Sequence, residues 1–513
     1  MCCGWPGGSR GSTRGRRSRW SATPTRSTPP GSCSTVGRKT SARCTARAST
    51  RPACFRWIST VRRRRPGSTS RRRRSTSLRA PPPSLGGPSH PYPAREKSLS
   101  LEGQGRARHF PKGFLWGTSS AAHQVEGDNR NCDWWEWEQQ PGRIANGDTS
   151  AVACDHYNRY REDFVLLSEL NQNAHRLSVE WSRIEPSEGV FDTRQIRHYR
   201  DVLGEMRERG LMPMVTLHHF TSPLWFARKG GWAAPGAHRA FTPFVNRVAD
   251  ELGDLAGMWC TINEPSIYGV QGWITGEFPP GRHGDLVGQY RVTHNLRRAH
   301  ELAYAALKRR WPDTPVGLSH HKFLFMPASA RRRDRLAAAA AQTVMDRWPV
   351  GPGRLGRIVE ATSDFIGVAH YWGQMCAFDP SRPQDQFVRR FNPPGAEVTE
   401  MGWVSKPAWM REVLNQMKRY GKPVYITENG IATADDSVRE RYLQDLLTNV
   451  HLAIEDGVDV RGYFHWTNTD NFEWARGYGA HFGLIAVNRK TLERTVKPSG
   501  RLYGRIATAN GLD

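Results

Sequence analysis

Eight short apolar runs recur along the chain from about residue 110, and longer segments of helical periodicity separate them. The runs are Phe114–Ala121, Ala174–Trp181, Leu211–His219, Met258–Asn263, Pro315–His320, Asp364–Tyr371, Pro423–Thr427 and Val460–Trp466. None alternates strictly between apolar and polar residues, which is the pattern of strands buried on both faces. The intervening segments carry apolar stripes at spacings of three and four residues, which predict amphipathic helices. Two such stripes are Tyr157, Tyr160, Phe164, Leu167 and Leu170, and Tyr442, Leu446, Val450 and Ile454.

The alternation of strands and helices predicts right-handed crossovers and a parallel sheet. Eight such units in about 400 residues fit a (β/α)8 TIM barrel with insertions, and we assign residues 109–513 to it. The alternative α/β fold is an open, doubly wound sheet with a nucleotide site. It lacks support, because neither G-x-G-x-x-G nor G-x-x-x-x-G-K-[ST] follows any of the runs.

Residues 1–108 differ in composition from the rest of the chain. They hold 25 of the 74 Lys and Arg residues but only 2 of the 48 Asp and Glu residues, so most of the net charge of +26 lies there. The segment is rich in Arg, Ser, Thr, Pro and Gly and poor in aliphatic residues. It cannot bury enough apolar surface to offset its chain entropy, so we expect a disordered basic extension. The remaining residues are near-neutral, and no nucleic-acid binding is expected of the folded domain.

Four interpretations of this extension were weighed. A secretory signal requires an apolar central run, which is missing, whereas an organelle transit peptide fits the Arg-rich, acid-poor composition. A nucleic-acid-binding tail would use the runs Arg62–Arg65 and Arg71–Arg74, but interleaved aromatic residues are almost absent. The composition favours the fourth interpretation, a start-site artefact in which upstream sequence is joined to the gene. No Met occurs between Met1 and Met206.

The remaining bulk features bear on compartment and metal binding. No stretch of about 18 apolar residues occurs, so no transmembrane helix and no membrane partner are expected. Four cysteines of the predicted barrel, Cys132, Cys154, Cys260 and Cys376, are scattered without zinc or disulfide spacing. We interpret them as buried thiols in a reducing compartment and expect a cytoplasmic protein. The adjacent pairs His218-His219 and His320-His321 do not form a metal motif, so no metal and no cofactor are expected.

Polar and aromatic side chains follow most of the runs at the point where each predicted strand ends. They are His123, Gln124 and Glu126 after run one, Arg176, Glu180 and Trp181 in run two, His218 and His219, Asn263 and Glu264, His370 to Trp372, Glu428 and Asn429, and His465, Trp466 and Asp470 to Trp474. The carboxyl ends of barrel strands meet at one face, where the chemistry of this fold is found. Carboxylate, amide and imidazole groups bind sugar hydroxyls, and indole rings stack on apolar sugar faces. The ring therefore indicates a sugar pocket.

Several motifs in order along residues 109–508 resemble glycoside hydrolase family 1, the β-glucosidase and β-galactosidase family. They include Phe114-Leu-Trp-Gly-Thr-Ser119, Arg176-Leu-Ser-x-x-Trp181, Thr216-Leu-His-His219, Thr261-Ile-Asn-Glu-Pro265, Ile426-Thr-Glu-Asn-Gly430 and Trp466 with Asp470-Asn-Phe-Glu-Trp474. The resemblance implies Glu264 as acid/base and Glu428 as nucleophile, with Arg176 and Tyr371 in contact with Glu428. It also implies a sugar site, the −1 subsite, made by Gln124, His219, Asn263, Trp466, Glu473 and Trp474.

The chain departs from the family pattern beside these residues. The family usually has Asn-Tyr-Tyr after strand six, and this chain has Ala369-His370-Tyr371. The strand-eight motif usually begins Trp-Ser-Leu, and here it reads Trp466-Thr467-Asn468. These changes affect the expected aglycone side and the fine tuning more than the expected chemistry.

Retaining hydrolysis needs two carboxyls about 5–5.5 Å apart, one as nucleophile and one as acid and then base. Two carboxyls so close cannot both ionise cheaply, so one must hold a proton at neutral pH. We expect Arg176 and Tyr371 to favour the charged form of Glu428, which leaves the proton on Glu264. Once Glu428 is esterified its charge is gone, and Glu264 can act as base.

The predicted function is therefore a retaining β-glycosidase that hydrolyses terminal non-reducing β-D-glucosyl residues, or galactosyl or fucosyl residues, through a covalent glycosyl-enzyme. The partner is a β-glycoside or oligosaccharide substrate, and the oligomeric state is not predicted. Two alternatives stay open at this point, a non-catalytic sugar-binding protein of the same fold and a transglycosylase. A phospho-β-glycosidase is disfavoured because the carboxylate of Glu473 would repel a phosphate.

Overall fold

The computed structural model describes residues 108–347, 361–382 and 387–512. The disorder expected for the basic extension therefore concerns residues that, apart from Arg108, lie outside the described part of the chain. The account below is of the body that contains the described residues.

Eight parallel strands close into a barrel in the described part of the chain. They are β1 Leu115–Ser119, β2 Ala174–Ser178, β3 Met212–Thr216, β4 Met258–Asn263, β5 Val316–His321, β6 Phe365–Ala369, β7 Val424–Asn429 and β8 Val460–Trp466. Their order round the barrel follows the sequence, with β8 paired to β1. The TIM-barrel prediction is confirmed, and each strand falls within one of the eight predicted runs or within two residues of it.

Eight longer helices accompany the strands in the described ranges. They are α1 His156–Glu169, α2 Thr193–Glu208, α3 Ala237–Leu252, α4 Leu286–Arg310, α5 Arg332–Arg347, α6 Trp409–Met417, α7 Asp436–Glu455 and α8 Pro498–Ala509. The predicted stripe of α1 is buried at Tyr160, Phe164 and Leu167. That of α7 is buried at Tyr442, Leu446 and Val450. These stripes pack against the barrel because burial of an apolar face is what stabilises such helices.

Short elements fill the loops between the main ones. The short helices and turns are Ala122–Val125, Asp133–Glu138, Ala145–Gly147, Trp181–Ile184, Leu224–Arg228, Gly231–Ala233, Pro265–Val270, Gln271–Thr275, Lys418–Tyr420 and Trp474–Arg476. Leu324–Pro327, Gly373–Phe378 and Val388–Phe391 form a small separate sheet after β5 and β6. Ile485–Val487 pairs with Arg494–Val496, and Arg108–His109 pairs with Gly511–Leu512.

The barrel is filled by side chains at its amino-terminal end and is polar at its carboxyl end. Ala174, Met214, Met258, Cys260, Phe365 and Phe464 form a buried apolar cluster contributed by the strands. The strand register is irregular between Cys260 and Asn263 and between Ile426 and Glu428, close to the carboxyl ends of β4 and β7. Such irregularities re-aim side chains and concentrate near active sites. Glu264 and Glu428 both follow one.

Some expected properties can be compared with the described residues. The four cysteines at 132, 154, 260 and 376 are free and buried, as predicted. No helix in the described ranges is long and apolar enough to cross a membrane. Within those same ranges, no cluster of three or more His, Cys, Asp or Glu side chains is arranged to hold a metal ion.

Candidate active site

Glu428 lies near the carboxyl end of β7 and is almost fully buried. Arg176 of β2 donates from Nη1 to its Oε1 at 2.5 Å, and the Tyr371 hydroxyl donates to its Oε2 at 3.1 Å. The Nε2 atom of His219 lies 3.9 Å from the same Oε1. Both carboxylate oxygens are therefore held by donors, so the plane of the group is fixed.

Burial raises the pKa of Glu428 to about 7, and the nearby carboxylate of Glu264 adds to the rise. Arg176 and Tyr371 act in the opposite direction, as the sequence argument expected. They offset part of the effect of burial, which acts because a carboxyl deep in the barrel mouth loses solvation.

A chain of hydrogen bonds runs from Arg176 to His219 through Asn263. Arg176 is fully buried and donates from Nη2 to Asn263 Oδ1 at 2.7 Å. The amide nitrogen of Asn263 then lies 3.0 Å from His219 Nε2. Because an amide nitrogen only donates, His219 Nε2 accepts and the ring proton sits on Nδ1. Burial lowers the pKa of His219 well below its usual value, so this ring is neutral.

Three buried atoms of Arg176, His219 and Gln124 have no hydrogen-bond partner among the described residues. Arg176 Nε belongs to the guanidinium that binds the carboxylate of Glu428, while His219 Nδ1 is a donor and Gln124 Oε1 is an acceptor. Buried polar atoms without partners are costly, so their occurrence at one site indicates that a ligand completes them. A sugar hydroxyl donates and accepts, which matches His219 Nδ1 and Gln124 Oε1.

Glu473 and Gln124 face each other across the mouth between the loops after β8 and β1. Gln124 Nε2 donates to Glu473 Oε2 at 3.1 Å and to the Phe472 carbonyl at 2.9 Å. Burial raises the pKa of Glu473 to about 8, while hydrogen bonds from Trp466 and Gln124 lower it. Among the residues that the structure describes, Glu473 has no cationic partner comparable to Arg176 of Glu428, so the effect of burial on its pKa is offset less.

The two predicted tryptophans lie beside this network. The Trp466 ring lies 5.8 Å from the His219 ring, and the Trp474 ring lies 6.2 Å from it. Trp474 also stacks nearly parallel to His123 at 5.9 Å. All ten sequence-predicted site residues thus fall at the carboxyl end of the barrel. Nine lie where six of the strands end or on the segments that follow them, and Arg176 lies on β2 itself.

Glu264 follows β4 directly and is the residue before the helix Pro265–Val270. Its backbone lies in the left-handed region with φ of 39°, which is unusual for a residue with a side chain. The backbone N–H donates to the Ser319 carbonyl of β5 at 3.0 Å. Its Oε1 lies 2.7 Å from Nδ1 of His321, at the end of the same strand. The tight turn after β4 therefore places the carboxyl against β5.

His321 is a site residue that the sequence argument missed. The fifth apolar run, Pro315–His320, ends at His320 in the sequence pattern. It is the one run whose end supplies no residue to the predicted ring of polar side chains. The strand extends one residue further. Because side chains alternate between the two faces of a strand, a one-residue difference in the boundary exchanges the side chain that points inward.

The chain is similar to a known protein family and to several solved structures. The model of "Glycosyl hydrolase family 1" matches residues 106–358 and 353–512. "Beta-glucosidase A" of Acetivibrio thermocellus is 33% identical over 448 residues, which cover 78% of this chain and 99% of the relative. A β-glucosidase from Thermotoga maritima in complex with glucoimidazole aligns with a TM-score of 0.74 at 32% identity, covering 79% of this chain and 100% of that one. A β-glycosidase from Pyrococcus horikoshii aligns with a TM-score of 0.72 at 36% identity, covering 80% and 97%.

Proposed function

The chain belongs to glycosyl hydrolase family 1 and is a retaining β-glycosidase, and from that premise we propose that Glu428 is its nucleophile and Glu264 its acid/base. The observation that carries the assignment is the contrast between the two carboxyls. Both oxygens of Glu428 are held by Arg176 and Tyr371, whereas the carboxyl of Glu264 has one hydrogen-bond partner among the described residues, at Oε1. A nucleophile must be ionised and fixed, and an acid needs an oxygen that the leaving group can reach.

In the first step, an oxygen of Glu428 bonds to the anomeric carbon while the bond from that carbon to the glycosidic oxygen breaks. Glu264 gives its proton to the departing oxygen, so the aglycone leaves as a neutral alcohol. In the second step, water attacks the same carbon and gives its proton to Glu264, and the ester bond to Glu428 breaks. Two inversions give net retention at the anomeric carbon.

Arg176 supports the first step by stabilising the charged form of Glu428 against burial. Because the guanidinium is fixed by Asn263 as well, it cannot follow Glu428 if that side chain moves. When the ester forms, the Tyr371 hydroxyl remains beside Oε2 of Glu428. Fixed donors of this kind stabilise a charge that develops on the carboxylate as the ester breaks.

We further propose β-D-glucose as the sugar bound between the two carboxyls, with galactose and fucose as the alternatives to be tested. The support is the donor at His219 Nδ1, the acceptor at Gln124 Oε1 and the carboxyl of Glu473. Two relatives named β-glucosidase A share 33% identity with the chain. We also propose that residues 109–513 form the whole catalytic domain.

Replacement of each glutamate tests the assignment. Glu428→Ala should abolish turnover, and azide should restore some of it with an α-glycosyl azide as product, since azide then attacks from the vacated side. Glu264→Ala should lower kcat/KM on alkyl β-glucosides or cellobiose by about a thousandfold, but on 2,4-dinitrophenyl β-glucoside by about tenfold or less, since that leaving group needs no proton. With this variant, azide should give the β-glycosyl azide. Equal losses on both substrates, or the same azide product from both variants, would contradict the roles proposed.

A further inference from the structure

We infer that His321 is a positioning residue for the acid/base: through one hydrogen bond, it directs the catalytic proton of Glu264 to the oxygen that faces the leaving group. This inference rests on the proposed function, because it presumes that Glu264 is the acid/base. It adds a residue that neither the motifs nor the roles implied by the resemblance include.

The first support is the contact itself. His321 Nδ1 lies 2.7 Å from Glu264 Oε1, and each of the two side chains is only 7% exposed. Among the described residues, Glu264 makes no other side-chain hydrogen bond. A short contact of two largely buried polar groups is held far more firmly than an exposed one, because solvent does not compete for it.

The second support is the tautomer that the surroundings impose on His321. Its Nε2 is buried and has no hydrogen-bond partner among the described residues. A proton on Nε2 would leave a buried N–H without an acceptor, whereas a proton on Nδ1 is donated to Glu264 Oε1. Oε1 is then an acceptor, and the proton of the carboxylic acid must sit on Oε2.

The arrangement serves both chemical steps without a change of tautomer. In the first step, Oε2 carries the proton that passes to the glycosidic oxygen, while Oε1 accepts from His321. In the second step, the carboxylate keeps the same bond at Oε1, and Oε2 takes the proton from water. The imidazole neither gains nor loses a proton, so its role is to orient Glu264 and not to transfer protons itself.

The third support is the way in which β5 holds Glu264 at two points. The Ser319 carbonyl accepts from the Glu264 backbone, and His321, two residues further along the same face, binds its side chain. The His321 ring also lies nearly parallel to that of Tyr371, with 6.5 Å between centroids and 19° between planes. These contacts fix the imidazole plane.

Ala369 explains why this side chain has room. His321 and Ala369 are register partners on β5 and β6, so their side chains project from neighbouring positions of the sheet. A larger side chain at position 369 would lie beside the imidazole, so the small side chain of Ala369 leaves space for it.

The test compares His321→Phe with His321→Asn. Phe keeps a ring of similar size and loses the donor, whereas the amide nitrogen of Asn can occupy the place of Nδ1. For each variant, kcat/KM is measured on methyl β-glucoside, which needs a proton on its leaving group, and on 2,4-dinitrophenyl β-glucoside, which does not. The ratio of the two values does not depend on how much of the enzyme is folded.

We expect His321→Phe to lower this ratio by about tenfold to a hundredfold, the loss typical of a displaced catalytic group. His321→Asn should stay within about threefold of the wild-type ratio. His320→Phe, on the neighbouring strand position, should leave the ratio unchanged. An unchanged ratio in His321→Phe, an Asn variant no better than Phe, or the same drop in His320→Phe would each overturn the inference.

Failure of the inference is distinguishable from failure of the proposed function. If Glu264→Ala lowers kcat/KM selectively on methyl β-glucoside but His321→Phe does not, only the positioning role is wrong. If Glu264→Ala itself shows no selectivity, the acid/base assignment is wrong and the inference falls with it.

Discussion

Replacement of Glu473 by Gln should stabilise the folded protein at alkaline pH while weakening sugar binding. Glu473 is 9% exposed, and burial raises its pKa to about 8 from a usual value near 4.5. At pH values between these two pKa values, the carboxyl is protonated in the folded state and ionised in the unfolded state. The folded state therefore binds more protons than the unfolded state. The free energy of unfolding therefore falls as pH rises from about 4.5 to about 8, and Glu473→Gln removes that loss.

The size of the effect follows from the two pKa values. At about 1.36 kcal/mol per pH unit, a rise from 4.5 to about 8 corresponds at most to roughly 5 kcal/mol. The amide can still accept from Gln124 or Trp466 but not from both, and the lost hydrogen bond costs about 1 kcal/mol. Because ionisation of Glu428 and Glu264 contributes to the rise, part of the gain is shared with them. A net stabilisation of about 1–3 kcal/mol above pH 8 is the expected result.

Thermal unfolding followed by calorimetry at several pH values measures this difference. For a chain of this length, 1 kcal/mol shifts Tm by roughly 1–2 °C, so Glu473→Gln should melt about 2–5 °C higher at pH 8.5. At pH 4 the gain should nearly vanish, since the carboxyl is protonated in the folded state and mostly protonated in the unfolded state. Glu208→Gln, at the exposed end of α2, is the control and should show no trend with pH. A Tm difference that is flat or that shrinks with rising pH would refute the reasoning.

Three other properties of the protein give direct tests. Arg494 and Asp163 form an ion pair at 2.8 Å with both side chains 1% exposed, so Arg494→Met should lower the free energy of unfolding by about 3–5 kcal/mol, measured as a fall in Tm against wild type. A smaller fall than that of the exposed pair Arg200–Asp254 when Arg200→Met is made would contradict this. A chain beginning at residue 105 should keep kcat/KM within about twofold of the full chain, as expected if residues 109–513 are the whole catalytic domain. Its four buried cysteines should react with a thiol reagent only after denaturant is added, and rapid labelling of the native protein would contradict their burial.

The sequence predicts most of the fold because the barrel is encoded by local patterns. Continuous apolar runs mark strands covered on both faces, and stripes such as Tyr160, Phe164 and Leu167 mark the helices that cover them. The polar ring at the carboxyl ends follows from topology alone, since parallel strands in a barrel end at the same face. Neither step needs the exact end of any element.

Two features of the site depend on information that the sequence patterns do not contain. The pKa of Glu428 depends on the balance between burial and Arg176, and the depth of burial is a property of the assembled barrel. His321 depends on the end of β5 to within one residue, and boundaries are the least certain part of any sequence-based assignment. The small sheet formed by Leu324–Pro327, Gly373–Phe378 and Val388–Phe391 was not predicted either, since two of its strands directly follow barrel strands.

The register of β5 and β6 changes the interpretation of Ala369. In the sequence alone, it is a lost Asn two residues before Tyr371 that is expected to affect the fine tuning of the site. In the structure, its register partner His321 supplies the polar contact to Glu264, and Glu428 is the register partner on its other side. The strand β6 thus lies between the strands that carry the contacts to the two carboxyls, and a small residue at its end lets an imidazole from β5 reach Glu264. If this is correct, Ala369→Asn should crowd the imidazole and lower kcat/KM on methyl β-glucoside more than on 2,4-dinitrophenyl β-glucoside, in the same sense as His321→Phe.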